Sequence, residues 1–136
     1  MFLYSLITFL TIGVLSIYNL SEKDGVLFLE KIASIHIESN NCDKNCETGD
    51  ILALSLDWNS RRNAPNKELE ISVSSSKGTV SIFSIADKII ENIWNRENCH
   101  EYEAWITSFD AWNRNVIFTG GDDGLLKIFD RRSDVR

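Results

Sequence analysis

The chain has 136 residues, 43% of them hydrophobic and 25% charged, which is the length and composition of about one globular domain and excludes a disordered segment. Its formal net charge of −6, with Arg61-Arg62 and Arg131-Arg132 as the only adjacent basic pairs, argues against direct nucleic-acid binding, because a phosphate surface needs clustered Lys and Arg. Cys42, Cys46 and Cys99 read as thiols of an intracellular protein, since a chain of this size needs no disulfide framework.

The first twenty residues, MFLYSLITFLTIGVLSIYNL, carry no charge and match a membrane span of ~20 residues or the apolar core of a signal peptide. No basic residue precedes the run, no small-residue cleavage site closes it, and Ser, Thr, Gly and Asn interrupt it. Two adjacent buried strands are the alternative, and an internal repeat favours them over a membrane segment. GVLSIYNL at 13–20 recurs as GTVSIFSI at 78–85 and as GLLKIFDR at 124–131. Each copy has glycine, mostly apolar residues, a polar residue or Lys, isoleucine, and then an aromatic. Sixty-five residues separate Gly13 from Gly78, and 46 separate Gly78 from Gly124. The shorter interval is close to the roughly 40 to 45 residues of a WD-repeat propeller blade.

The first unit predicts strand b at 6–10, strand c at 14–19 and strand d within 26–37. Residues 38–50 and 59–69, rich in Asn, Lys and turn formers and holding the only proline, read as long loops that lengthen the first interval. The middle unit predicts strands a to d at 51–56, 70–74, 79–85 and 88–94. In the last unit, strands a to c fall at 104–109, 116–119 and 125–129. Upstream of the glycines, Leu54-Ser-Leu-Asp57 aligns with Thr107-Ser-Phe-Asp110, and Ile71-Ser-Val-Ser with Ile117-Phe-Thr-Gly. The fold class is therefore all-β: a partial WD-repeat β-propeller of about two and a half four-stranded antiparallel blades, with blade units at about 1–40, 51–95 and 100–136. Such a set does not close a ring, so the chain reads as a fragment of a longer propeller.

In a WD-repeat blade a turn Asp, a His ahead of strand a, a strand-b hydroxyl and a strand-c Trp form a buried hydrogen-bonded set that satisfies polar groups around the tight turn. Asp123, His100 and Thr119 stand at the first three positions, and Phe129, which cannot donate, at the fourth. Gly124 is expected at positive φ in the turn. Lys77 replaces the turn Asp in the middle unit. His100 is also the most tempting general base, since His36, the other histidine, lies in an apolar strand-like run. A base needs a nucleophile and an orienting group, and spacing assigns neither, so the structural role is preferred. Cys42-Asp-Lys-Asn-Cys46 has the spacing of half a metal site but no second pair, and a surface loop is the favoured reading.

HEYEAWI at 100–106, Phe109-Asp110, TGGDDG at 119–124 and Phe129-Asp-Arg, in this order, resemble the diphthine methylesterase family of WD-repeat proteins. The family pattern is His-x-(Tyr/Phe)-Glu-Ala-Trp-Ile, Ser-Gly-Gly-Asp-Asp-Gly and Trp-Asp-x-Arg, and Phe129 departs from it. The resemblance implies a cytoplasmic propeller that removes a methyl ester from the modified histidine of elongation factor 2, with no metal or organic cofactor. Elongation factor 2 is then the expected partner, with other proteins able to dock on the propeller faces. Ester hydrolysis needs an activated water or nucleophile and donors for the oxyanion. His100, Glu103 and Asp122 are the candidates for such work, with Glu101 and Trp105 beside them in the motif. The alternatives are a non-catalytic scaffold and an inactive truncated form, and in either of these the same residues serve packing or rim.

Overall fold

The computed structural model describes residues 5–37, 51–59 and 69–133. The Cys42/Cys46 pair and Arg61-Arg62 lie outside the described residues. Among the described residues, three antiparallel sheets follow one another along the chain. The first joins β1 (Ser5–Thr11), β2 (Val14–Lys23) and β3 (Val26–His36) in that order. The second is four-stranded, in the order β4 (Ala53–Trp58), β5 (Leu69–Ser75), β6 (Val80–Ala86) and β7 (Ile89–Arg96). The third joins β8 (Ala104–Phe109), β9 (Val116–Gly121) and β10 (Leu126–Asp130). From residue 5 onward the apolar N-terminal run is two strands, and no helix among the described residues is long and apolar enough to cross a membrane.

The turns explain why the sheets start and stop where they do. Asp24 and Gly25 (φ 53 and 76) link Lys23 to its partner Val26, and Asp87 and Lys88 (φ 48 and 68) link Ala86 to Ile89. Positive φ at both central residues matches the right-handed twist of the flanking strands in a two-residue hairpin. Lys88 therefore belongs to the turn, and the strand predicted from 88 starts one residue later. Gly13, Gly78 and Gly124 share positive φ (63, 68 and 72), as their recurrence at one turn position requires. The turns themselves differ. Ser74 pairs with Val80 and Gly120 with Leu126 across five-residue loops, whereas Thr11 pairs with Val14 and leaves only Ile12 and Gly13 between. The first unit consequently has no counterpart of Asp123.

Two apolar clusters join the sheets face to face. Leu15 and Ile17 on β2 pack with Ile71, Val73, Phe83 and Ile85 of the second sheet. Val80 and Ile82 on β6 pack with Ala104, Phe109 and Ile117 of the third, together with Cys99. Each fully buried aliphatic side chain of this kind contributes roughly 1.5–3 kcal/mol.

Polar contacts reinforce the second junction. Asp57 Oδ2 accepts hydrogen bonds from Ser108 Oγ and the Phe109 N–H, both at 2.9 Å. Glu70, whose side chain is 4% exposed, accepts from Asn59 Nδ2 at 2.6 Å and from Arg114 and Arg131 at 3.0 Å each. Burial pushes the Glu70 carboxyl up, but the hydrogen bonds from Arg131, Asn59 and Arg114 and the Arg131 charge outweigh this and lower it. The backbone register also corrects the strand-a alignment. Trp58 pairs with Ile71 as Phe109 pairs with Ile117, so Asp57 corresponds to Ser108, two residues away from Asp110. The cause lies in the third unit's turn, where Asp110 Oδ1 accepts from the Trp112 and Asn113 N–H groups at 2.7 Å and is committed to a tight local bend.

Candidate functional site

The segment leading into β8 crosses the turn of the second sheet before it reaches its own. The His100 N–H bonds Gly78 O at 3.2 Å, and a Cβ at residue 78 would lie 2.3 Å from His100 O and 2.6 Å from Tyr102 O. Only glycine lets the chain pass this closely. Gly121 does the same for the His100 ring, since a Cβ there would stand 2.4 Å from Cγ and Nδ1.

Held in this slot, the His100 side chain is 0% exposed. Its Nδ1 lies 2.8 Å from Asp123 Oδ1 and its Nε2 lies 2.8 Å from Thr119 Oγ1. The carboxylate accepts from Nδ1–H, and Nε2 pairs with the Thr119 hydroxyl. Asp123 also accepts from the Leu125 N–H at 3.1 Å and the Glu101 N–H at 3.4 Å, with Lys127 Nζ at 3.6 Å. Desolvation would raise the Asp123 carboxyl, but the His100 hydrogen bond, with those from the Leu125 and Glu101 N–H groups, prevails and holds it at about 2. Both nitrogens of the His100 ring are engaged, so the ring braces the turn and has no free position from which to activate water.

Phe129 lies on β10 opposite Ile117. It cannot donate, yet it keeps an aromatic role: its ring centroid is 6.4 Å from that of Trp94, and the Arg96 guanidinium sits 5.5 Å from its centre. At Gly124 a Cβ would meet no atom within 4 Å, so backbone conformation alone selects glycine in this turn.

Around the brace runs an acidic and aromatic rim. Glu101, Tyr102, Trp105 and Asp122 are exposed or nearly so, and Glu103 is half-buried. The Asp122 N–H bonds Glu103 O at 2.9 Å, and the Trp105 indole N–H reaches Asp122 Oδ1 at 3.4 Å. Trp105 is a bulge residue between Ala104 and Ile106, matching the bulge at Leu54 in β4. The bulge belongs to the repeated architecture and turns this side chain out of the strand alternation. The tryptophan it presents, 54% exposed, is particular to the third unit. Chemically, the rim offers carboxylates and an indole face to a cationic group. Asp57, Glu70, Arg114 and Arg131, the polar links between sheets, escape sequence reasoning. The one available signal is Glu70, a charged residue in an otherwise strand-like run.

Three sheets that share a turn glycine and repeat one interface, the third with a His–Asp–Thr brace, make the chain a partial WD-repeat β-propeller. Two solved structures, titled "COPII on membranes, outer coat vertex" and "The structure of the COPII coat assembled on membranes", match 96% of this chain with a TM-score of 0.55 at 19% identity. They share the fold, and the matched region is 34% and 19% of those chains. In sequence the chain matches the diphthine methyltransferases. It is 32% identical over 121 residues to the diphthine methyltransferase homolog of Dictyostelium discoideum and 30% identical over 124 residues to the Homo sapiens diphthine methyltransferase. Against the Schizosaccharomyces pombe protein of the same name it is 35% identical over 82 residues. These alignments cover 87%, 88% and 60% of this chain, which spans only 28%, 25% and 22% of the respective relatives. No family model matches the sequence.

Proposed function

We propose that the protein acts in the cytoplasm to hydrolyse the methyl ester of diphthine on elongation factor 2, releasing a carboxylate for later amidation. The observation that carries this reading is the rim formed by HEYEAWI and TGGDDG, where Glu103, Trp105 and Asp122 meet outside the His100 brace. A general WD-repeat blade needs the brace but has no need of this rim. In the reaction, water adds to the ester carbonyl carbon and the bond to the methoxy oxygen breaks. Methanol leaves, and the second proton of the water is released as the carboxylate forms. In this reading Asp122 or Glu103 takes the first proton from water, and the exposed Trp105 face with its neighbouring carboxylates suits the substrate's quaternary ammonium. No metal or organic cofactor enters this scheme.

Incubating the protein with methyl-diphthine elongation factor 2 and following the factor by mass spectrometry tests the proposal. Loss of the methyl ester is expected, slowed in Asp122→Asn and in Trp105→Ala. An unchanged mass would sink it. A second reading, a non-catalytic scaffold, is favoured by the exposed run Val26, Leu27, Phe28 and Leu29 on β3, an apolar edge suited to a protein partner. Capture of elongation factor 2 with its ester intact would support that reading instead.

A further inference from the structure

The peptide unit that opens the rim segment is held from two sheets at once. Its oxygen, Cys99 O, accepts a hydrogen bond from Lys127 Nζ on β10 at 2.5 Å. Its N–H, carried by His100, donates to Gly78 O in the turn of the second sheet at 3.2 Å. Lys127 Nζ also stands 3.6 Å from Asp123 Oδ2, the oxygen that accepts the Glu101 N–H. An ammonium has three donors and no acceptor, so one group can serve a carbonyl and a carboxylate together. Its charge makes such bonds stronger than neutral ones.

Lys127 is particular to the unit that carries the rim. Ser16 and Ser81 hold the same place, three residues after their glycine, in the first two units. Ser81 Oγ donates within its own sheet, to Asn95 Oδ1 at 2.8 Å. Lys127 pairs with Thr119 and Phe129 with Ile117, so residues 127 and 129 stand on one face of β10. A WD-repeat blade takes a tryptophan donor from that face, whereas Phe129 packs on Trp94 and donates nothing. Lys127 returns a donor to the face and directs it to the segment ahead of β8 in place of the strand-b hydroxyl.

We propose that Lys127 is a positioning residue for the rim: by clamping the Cys99–His100 peptide it fixes where Glu101, Glu103 and Trp105 stand against Asp122. The link runs through the backbone. Glu103 O accepts the Asp122 N–H at 2.9 Å and the Trp105 indole N–H reaches Asp122 Oδ1 at 3.4 Å, so a displaced segment carries both contacts with it. This role rests on the rim being the esterase surface, where Lys127 sets the rate through geometry rather than by touching substrate.

The test is NMR on the nitrogen-labelled unmodified chain, Lys127→Met and Lys127→Arg, with ester loss from methyl-diphthine elongation factor 2 followed on the same samples. Lys127→Met keeps an apolar stem and removes the donors. It is expected to speed exchange of the His100 amide about tenfold, while the amide of buried Val73 on β5 exchanges as before. The Trp105 indole N–H signal is expected to move, and ester loss to slow about tenfold. Lys127→Arg, which keeps a charged donor, is expected to restore all three. A lysine that only adds stability would speed exchange at His100 and Val73 alike and leave the folded Trp105 signal in place, and that result overturns the proposal. So does ester loss as fast in Lys127→Met as in the unmodified chain. Expected changes at His100 and Trp105, in chains none of which removes the ester, would sink the esterase reading and keep Lys127 as the residue that sets the rim. If Lys127→Met does not fold, the Lys127 ammonium signal of the unmodified chain decides. Held by Cys99 O it exchanges slowly, and exchange as fast as that of exposed Lys88 overturns the clamp.

Discussion

Thr107 and Thr119 face each other across the β8–β9 pair, 2% and 0% exposed, and the same substitution at the two is expected to move stability in opposite directions. Valine keeps the β-branched shape and the rotamer preference, so the hydroxyl is the only thing removed. Thr119 Oγ1 is the partner of His100 Nε2 at 2.8 Å, and Thr119→Val leaves that buried nitrogen unsatisfied. A stranded buried polar group costs about 1–3 kcal/mol, offset in part by the added methyl. Thr107 Oγ1 has no hydrogen-bond partner among the described residues, so Thr107→Val removes a desolvated hydroxyl and gains about 1 kcal/mol. For a domain of this size each kcal/mol moves Tm by about 3–5 °C. Thermal unfolding followed by circular dichroism should therefore separate the two variants by about 6–15 °C, with the unmodified chain between them. Shifts of the same sign, or a Thr119→Val variant as stable as the unmodified chain, would refute the assignment of His100 Nε2 to Thr119.

Glu70→Ala is expected to cost about 2–3 kcal/mol in the same assay, because Arg131, only 14% exposed, loses its carboxylate, while Arg114 at 45% returns to water at little cost. A double-mutant cycle with Arg131→Ala should show most of that loss as coupling, and a coupling near zero would contradict the contact. Acid should weaken the brace. The Asp123 carboxyl sits at about 2 in the fold against 3.8 ordinarily, so its contribution is fully present above the ordinary value and is lost as pH falls toward about 2. Unfolding measured across that window should lose this component in Asp123→Asn; an identical acid slope in both chains would count against it. Gly121→Ala drives a Cβ into the His100 ring and is expected to cost about 1–3 kcal/mol. Gly124→Ala meets no atom and is expected to cost about 1 kcal/mol through positive φ alone, so denaturant midpoints should rank the two.

Strand positions were legible because two signals agree in this chain. Glycine recurs at a fixed place ahead of an Ile-aromatic pair, and apolar residues recur on alternate positions of the strands that follow. Where the signals weaken, the ends drift. β2 runs on to Lys23, past the predicted 19, because Ser21, Glu22 and Lys23 are exposed and give no apolar alternation, while the Asp24-Gly25 turn still pairs them with β3. Gly13 marks a turn correctly, but nothing in its neighbours says whether two residues or five close the loop. That difference decides whether a blade has room for a turn aspartate.

The brace was legible for a different reason than the contacts between sheets. His100, Thr119 and Asp123 lie within one unit and follow a fixed order, so order alone identifies them. Asp57 reaches Ser108 and Phe109 across 51 and 52 residues, and Glu70 reaches Arg114 and Arg131 across 44 and 61. No periodicity announces such pairs, because they link unlike positions in neighbouring units. The aligned Asp110 is a turn residue in the third unit, whereas Asp57 is a fastening residue of the second, and identity of residue type concealed the change of role. Repeats built this way vary their junctions while keeping their strands. The second junction is fastened by carboxylates, and the outward face of the third sheet replaces both with Ser108 and Val116 beside exposed Leu126 and Ile128.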